Sequence, residues 1–179
     1  MIYVNKMNII QTAQRNNNRN NKWTDDEDIK LNNELFIIKN INEIANKHYR
    51  DSNEIINRII KQIINYINEN NNIIEKYKNY IKEINEDERK SNIRWTENED
   101  KKLIDEIINN IDITDIIKNH NRISSDIKYR LNILYQLHII KYEKRIIEYT
   151  IILKINKEEL YKKIELYKTD NNNEKFKFI

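Results

Sequence analysis

The sequence predicts an all-α protein in which one three-helix unit occurs twice. The chain contains no Gly and no Pro, so its helices meet no strong breaker. Its only two tryptophans open two similar stretches, KWTDDED at 22–28 and RWTENED at 94–100. Apolar residues follow each tryptophan at the spacing of an amphipathic helix. A helical connector between the units and a C-terminal helical extension complete the predicted architecture.

The repeat keeps one register throughout. Residue 23 aligns with residue 95, and the same offset of 72 gives 14 identities over positions 23–58. The matches include Trp, Thr, His and Arg, which are scarce in a chain dominated by Ile, Asn, Lys and Tyr. Composition does not explain identity at scarce residue types, so the pattern indicates an internal duplication. The predicted copies span residues 21–64 and 93–136.

Each copy is predicted to begin with a capped helix. The pair Thr24 and Glu27, repeated as Thr96 and Glu99, has the spacing of a capping box. In this motif each side chain accepts a hydrogen bond from the backbone amide of the other residue. Apolar residues then follow at helical spacing; they are Leu31, Leu35 and Ile38 in copy one, and Leu103, Ile107 and Ile111 in copy two.

Two more helices are predicted in each copy. The second lies at about 41–48 and about 113–120. The turns HYRDS and HNRIS follow, in which Asp51 or Ser52, and Ser124, are suited to cap a third helix. Three helices on one core, with a tight turn before the last, follow the helix-turn-helix plan. Since Gly is absent, we expect Asn or Asp wherever the backbone needs a positive φ.

The motif W-T-x-x-E-D-x-x-L, followed by H-x-R-x-S-x-x-I-x-x-R, resembles the Myb/SANT family of helix-turn-helix domains. The resemblance covers both copies, about half of the chain. Of the regularly spaced tryptophans typical of the family, only the first is present; Ile44 or Ala45, and then Ile59, stand in the other places of copy one. The turn glycine is also missing. The protein-binding SANT branch therefore stays open beside the DNA-binding Myb branch.

The resemblance implies where DNA would be contacted. In the family the third helix enters the major groove, where Asn binds adenine and Lys reaches guanine. Carried over by position, the implied DNA-binding residues are Arg50, Asn53, Asn57 and Lys61 in copy one, and Arg122, Ser125, Lys128, Tyr129 and Asn132 in copy two. The two faces differ, so the copies should read different bases. Copy two, with Lys128, is predicted to be the better binder.

Other repeated residues are predicted to have structural roles. Arg50 and Arg122 either hold a phosphate or pair with acids of the first helix. For Arg58 and Arg130 we favour an ion pair between the first and third helices. The tryptophans are predicted core anchors, and His48 and His120 are predicted to pack or to make a hydrogen bond in the turn. No Cys is present and no nucleophile–base arrangement stands out, so we expect no metal, no cofactor and no enzymatic activity.

The remaining segments are assigned by composition and periodicity. Residues 1–20 are a predicted flexible basic arm. Residues 65–92 are a linker, with a break at 68–72 and a connecting helix at 73–84. Residues 137–179 form a helical extension, in which Asn156 and Glu159 cap a helix with a frayed end. That helix is predicted to fold back on copy two or to pair with a partner protein.

The sequence thus predicts a non-catalytic binding protein. Double-stranded DNA is the favoured partner, with a role in transcription or genome organisation. A SANT-type protein scaffold is the alternative, since the net charge is only +3. No apolar run approaches the roughly 18 residues of a membrane span. We expect an intracellular protein, acting in the nucleus or, since the composition and the resemblance favour a large DNA virus, at a viral replication site.

Overall fold

The computed structural model describes residues 22–84 and 94–175, with side chains up to residue 170. These residues form seven helices and no strand, which confirms the all-α prediction. The helices are α1 (Asp25–Ile38), α2 (Ile41–His48), α3 (Ser52–Glu83), α4 (Glu97–Ile108), α5 (Ile113–Asn119), α6 (Ser124–Leu153) and α7 (Lys157–Lys175). The predicted basic arm at 1–20 and the last four residues lie outside the described part.

The helix starts follow the sequence closely. Thr24 accepts from the amide of Glu27 at 3.2 Å, and the Glu27 carboxylate accepts from the amide of Thr24 at 3.1 Å. Thr96 and Glu99 form the same box at the start of α4. Both predicted capping boxes are therefore confirmed. Each satisfies two amides that the first helical turn would leave without partners.

Five residues take a positive φ in the described part, and only Asn110 and Asn121 are of the expected type. The other three are Lys39, Tyr49 and Lys154, with φ of 52°, 53° and 56°. The expectation of Asn or Asp was therefore wrong at three positions. All three directly follow a helix, where the left-handed conformation lets the chain turn away while its amide still bonds a preceding carbonyl. Because the chain contains no Gly, these three residues take on the steric cost of a Cβ atom in the left-handed conformation.

The chain divides into two compact units, and the first is Met1–Asn65 with Ile146–Ile179. Its described part holds α1, α2, the start of α3, the end of α6, and α7. Leu31, Ile44 and Ile59 of copy one are fully buried. The rings of Phe36 in α1 and Tyr149 in α6 meet edge to face at 5.5 Å, so C-terminal residues complete the packing of copy one.

The second unit is Tyr66–Arg145. Its core contains residues from the predicted copy two and from the predicted linker; its buried members are Tyr77, Ile84, Leu103, Ile107, Ile113, Ile116, Ile127, Leu131 and Leu134. Trp95 is partly buried against this cluster. Residues 73–83 are helical, one residue short of the predicted range 73–84, and this stretch supplies buried side chains rather than only a connection.

Two sequence predictions about these segments were wrong. No break occurs at 68–72, because α3 continues through it. Asn lowers helix propensity only modestly, and the Asn70 amide donates to the Tyr66 carbonyl at 2.6 Å. The C-terminal helix α7 does not fold on copy two: it belongs to the unit of copy one, where Leu160 and Ile164 are buried. The β-branched stretch at 142–153 is helical, as predicted.

Candidate nucleic-acid interface

Two arginines of copy one are held by acids of α1. Arg50, whose side chain is only 2% exposed, donates through Nη2 to both carboxylate oxygens of Glu27, at 3.1 and 3.2 Å. Arg58 of α3 forms a bidentate ion pair with Asp28 of α1. A planar guanidinium matches the two oxygens of a carboxylate, so this geometry fixes orientation as well as distance. Together the pairs hold the third helix of copy one against its first.

Copy two repeats this arrangement at every position. Arg122 donates to Glu99 at 2.8 Å, and Arg130 pairs with Asp100. The Arg122 hydrogen bond is the largest of the effects that lower the pKa of the Glu99 carboxyl. The predicted ion pairs of Arg58 and Arg130 between first and third helices are therefore confirmed. Two alternatives were predicted for Arg50 and Arg122, binding a phosphate or pairing with an acid of the first helix. In the structure both arginines pair with an acid of the first helix.

Each tryptophan lies beside both arginines of its copy. The guanidinium carbon of Arg50 is 4.7 Å from the Trp23 ring centroid, and that of Arg122 is 4.2 Å from the Trp95 centroid. Arg58 and Arg130 lie at 5.3 and 5.9 Å. Cations at these distances from an indole face are attracted by its quadrupole. The tryptophans thus anchor the first and third helices of each copy, as predicted, although both are half-buried rather than fully buried.

The repeated histidines are buried partners of repeated glutamates. His48 lies 3.1 Å from Glu34 through Nε2, and His120 lies 2.8 Å from Glu106. Burial is the largest effect on His48 and lowers its pKa, and the nearby Lys30 lowers it further. Both side chains are only 1% exposed. Both are packed, as one of the two alternatives predicted, but each hydrogen-bonds to a glutamate of the first helix rather than in the turn.

The identities of the duplication therefore form a structural frame. Even Lys30 and Lys102 repeat one contact, each donating to a backbone carbonyl at the end of the second helix. The positions where the copies differ include most of the predicted DNA-binding face. The two copies thus share the contacts that position their helices, and they differ on the exposed faces of their third helices.

Four of the five predicted DNA-binding residues of copy two lie along the start of α6, and Arg122 lies in the turn before it. Tyr129 is 68% exposed, and Asn132 is also exposed. Ser125 and Lys128 are half-buried, and the Lys128 ammonium donates to the Ile84 carbonyl at 3.2 Å. The Asn132 amide donates to the Lys128 carbonyl at 2.9 Å. Arg122 is only 7% exposed and does not share this solvent-facing surface.

In copy one, Asn53, Asn57 and Lys61 are exposed on α3, whereas Arg50 is only 2% exposed. The sequence did not predict the groove that lies beside this face. Asn53 and Asn57, with Ile56 and Ile60, line an open groove of about 590 Å³. The other wall of this groove belongs to α7; its residues are Lys163, Leu166, Tyr167 and Asp170. The apolar spacing of α7 was visible in the sequence, but the surface that it packs on was not.

The described residues are electrically balanced. Residues 22–84 and 94–175 together carry 26 Lys and Arg and 26 Asp and Glu side chains. The net charge of +3 therefore comes from the rest of the chain, chiefly from Lys6, Arg15 and Arg19. The described helices therefore carry no net charge that would attract a polyanion to them as a whole.

Within the described residues, no group of three or more His, Asp or Glu side chains is arranged to hold a metal ion. None of the described helices combines the length and the apolar character needed to cross a membrane. No protein-family model, no curated protein and no solved structure matches the chain.

Proposed function

We propose that the chain is a non-catalytic, double-stranded DNA-binding protein whose main reading surface is the start of α6 in copy two. The observation that carries the proposal is a contrast between the ion pairs, which both copies share, and the exposed surface of the third helix, which differs between them. Repeated ion pairs hold α6 and the turn before it against α4, while the exposed positions Tyr129 and Asn132 differ from their counterparts in copy one. A fixed helix with a divergent polar face is suited to sequence readout.

Chemistry assigns a role to three side chains of this face. Asn132 can pair with adenine through its amide once the intrahelical bond to the Lys128 carbonyl is exchanged. The Tyr129 hydroxyl is suited to donate to a phosphate, and its ring to contact a thymine methyl. Lys128 can exchange the Ile84 carbonyl for a phosphate or a guanine. Copy one is the weaker binder in this proposal, because α7 lines the same groove as Asn53 and Asn57.

The charge of the described residues determines how strongly DNA binding should depend on salt. Since the described residues carry no net charge, few phosphates should be neutralised by them, and the basic residues at 1–21 should add the remainder. With about three phosphate contacts, the slope of log K against log salt would be about −2.7. That slope corresponds to a roughly 40-fold loss of affinity between about 50 and 200 mM salt.

The test is fluorescence anisotropy of a labelled random-sequence duplex titrated with the full chain at those two salt concentrations. We expect binding with the shallow slope given above. Lys128→Ala with Asn132→Ala should weaken binding about 10-fold or more. The matched control is Lys101→Ala with Asn98→Ala, the same residue types exposed on α4, which should leave affinity almost unchanged.

Two results would contradict the proposal. One is the absence of binding at the lower salt concentration. The other is equal weakening by the control pair, since that would show a non-specific charge effect rather than a reading face. Circular dichroism of both double variants separates loss of binding from loss of helix. If genomic DNA is the partner, the site of action is the nucleus or a viral replication site.

A second candidate, a protein-docking scaffold, is favoured by one specific observation. The described residues are neutral overall, and several large apolar side chains are exposed on α6, including Leu137 and Ile140. DNA-binding surfaces are typically more basic and less apolar. A chain that fails to bind the duplex at low salt but retains its fold would support this candidate.

A further inference from the structure

The helix α6 carries a second apolar face, opposite the face that packs into the core of its unit. Between residues 124 and 145 its inner face holds Ile127, Leu131 and Leu134, all buried. Its outer face carries Tyr129, Ile133, Leu137, Ile140 and Lys144, which follow one another at spacings of four, four, three and four residues. We call these five residues the outer stripe. They fall within about 80° of one another around a helix of 3.6 residues per turn.

The outer stripe is exposed rather than packed. Leu137 is 46% exposed, Ile140 is 62% exposed and Tyr129 is 68% exposed, while Ile133 is half-buried. From Tyr129 to Ile140 the stripe runs about 16 Å at 1.5 Å per residue, the length of three helical turns. Single exposed apolar residues need no explanation, but a contiguous row at this spacing is typical of an anchor surface for another helix.

The charges beside the stripe indicate the chemistry of that helix. The only exposed charged side chains of α6 between residues 124 and 145 are Lys141 and Lys144. Asp126 and Glu143 in the same segment are half-buried. The exposed charge beside the stripe at residues 141–144 is therefore basic, with no exposed acid of α6 between residues 124 and 145 to balance it. A helix with an apolar seam bordered by carboxylates would match both the apolar side chains of the stripe and the lysines beside them.

We propose that the outer stripe is a docking site for an amphipathic helix of a partner protein, with an aliphatic seam and acidic flanks. A second copy of this chain fits less well, because the same face of a second α6 segment would offer apolar groups but no exposed carboxylate to Lys141 and Lys144. The proposal does not depend on DNA binding: the predicted DNA face and the stripe are neighbouring faces of α6 that share Tyr129.

The test uses two synthetic 18-residue helical peptides that share one Leu and Ile seam at heptad spacing. One peptide carries Glu at the flanking positions and the other carries Lys. Each is titrated into the full chain by isothermal titration calorimetry. We expect the Glu peptide to bind at least about 10-fold more tightly. Lys141→Glu with Lys144→Glu should reverse this preference, because the reversed charges then attract the Lys peptide.

The apolar contribution is tested by Leu137→Ser with Ile140→Ser, which should abolish binding of both peptides. Both residues are exposed, so the substitutions should leave the fold intact. The controls are Ile37→Ser, at an Ile on α1 that is 80% exposed, and Lys118→Glu on α5; neither should change peptide affinity. DNA binding, if present, should survive the change at Leu137 and Ile140.

Three outcomes would overturn the proposal. The first is equal affinity for the two peptides, which would remove the charge argument. The second is no binding of either peptide at concentrations up to about 1 mM, where even an interaction of about −4 kcal/mol is visible. The third is self-association in sedimentation velocity that Leu137→Ser with Ile140→Ser abolishes, which would make a second copy the occupant.

Discussion

At the scale of single residues, the arginines of the frame do more than carry charge. Arg122 donates to Glu99, donates to the Arg94 carbonyl at 3.1 Å and lies over the Trp95 ring. One buried guanidinium thus orders the turn before α4, the first turn of α4 and the tryptophan. Buried ion pairs are not always stabilising relative to apolar pairs, but losing one partner leaves the other desolvated and unmatched.

We therefore expect Arg122→Met to lower the free energy of unfolding by about 2 kcal/mol. The cost is below that of a fully buried pair because the Glu99 side chain is 30% exposed. Urea unfolding measures the loss, and NMR titration should show the pKa of Glu99 rising towards its ordinary value. Lys101→Met is the control, because its ion pair with Glu97 is highly exposed and should contribute less than about 0.5 kcal/mol. Equal losses in both variants would contradict this role of Arg122.

His138 predicts a pH dependence of stability. Its Nε2 is buried without a hydrogen-bond partner, its ring lies 6.0 Å from that of Tyr77, and burial followed by Lys141 lowers its pKa. The unfolded chain therefore binds the proton more readily, near the ordinary histidine pKa of about 6.5. Stability should fall as pH decreases through that value and should level off below the folded pKa.

The check is urea unfolding between about pH 7 and 5. His138→Phe should reduce the slope of stability against pH, since a phenyl ring fills a similar space and takes up no proton. A residual slope is expected from His48, whose pKa is also lowered by burial. The lowered pKa of Glu99 changes stability mainly below this pH range, because an unfolded Glu titrates near about pH 4.3. An unchanged slope in His138→Phe would refute the assignment.

At the scale of elements, local chemistry was predictable from the sequence and long-range packing was not. The capping boxes depend on residues three apart, and the pairs of Arg58 and Arg130 were inferred because both partners recur. The continuous α3 and the placement of α7 depend on contacts with distant segments. Asn-rich stretches are locally ambiguous, so tertiary packing decides between break and helix. Of the candidate site, the exposure of residues such as Asn53 could be predicted from helical spacing, but the burial of Arg50 and Arg122 could not. The hydrogen bond of Lys128 and the groove beside Asn53 could not be predicted either.

The placement of α7 gives a prediction at this scale. Leu160 is fully buried, whereas Leu166 on the same helix is 64% exposed. We expect Leu160→Ala to cost about 2–4 kcal/mol through lost burial and a cavity. Leu166→Ala removes the same atoms from an exposed position and should cost less than about 0.5 kcal/mol. Thermal or urea unfolding compares them, and similar losses in the two variants would show that α7 does not pack as described.

At the scale of the whole molecule, two helices run through both compact units. The unit boundaries fall at residues 65 and 66 and at residues 145 and 146, inside α3 and α6 respectively. Helix formation is cooperative along an uninterrupted segment, because each added residue extends an existing hydrogen-bonded turn. Loss of structure in one unit should therefore be transmitted to the other through two continuous helices, unlike domains joined by a flexible linker.

This continuity predicts a single unfolding transition. In Trp23→Phe, Trp95 alone reports on the unit at 66–145, and in Trp95→Phe, Trp23 alone reports on the other unit. In each variant the fluorescence transition in urea should coincide with circular dichroism at 222 nm, which reports all the helices. Adding Asn71→Pro, at an exposed position inside α3, should cost about 3 kcal/mol and weaken the coupling, whereas Asn71→Ala should preserve it. Fluorescence and dichroism midpoints that differ in the single-tryptophan proteins would mean that the units unfold independently despite their shared helices.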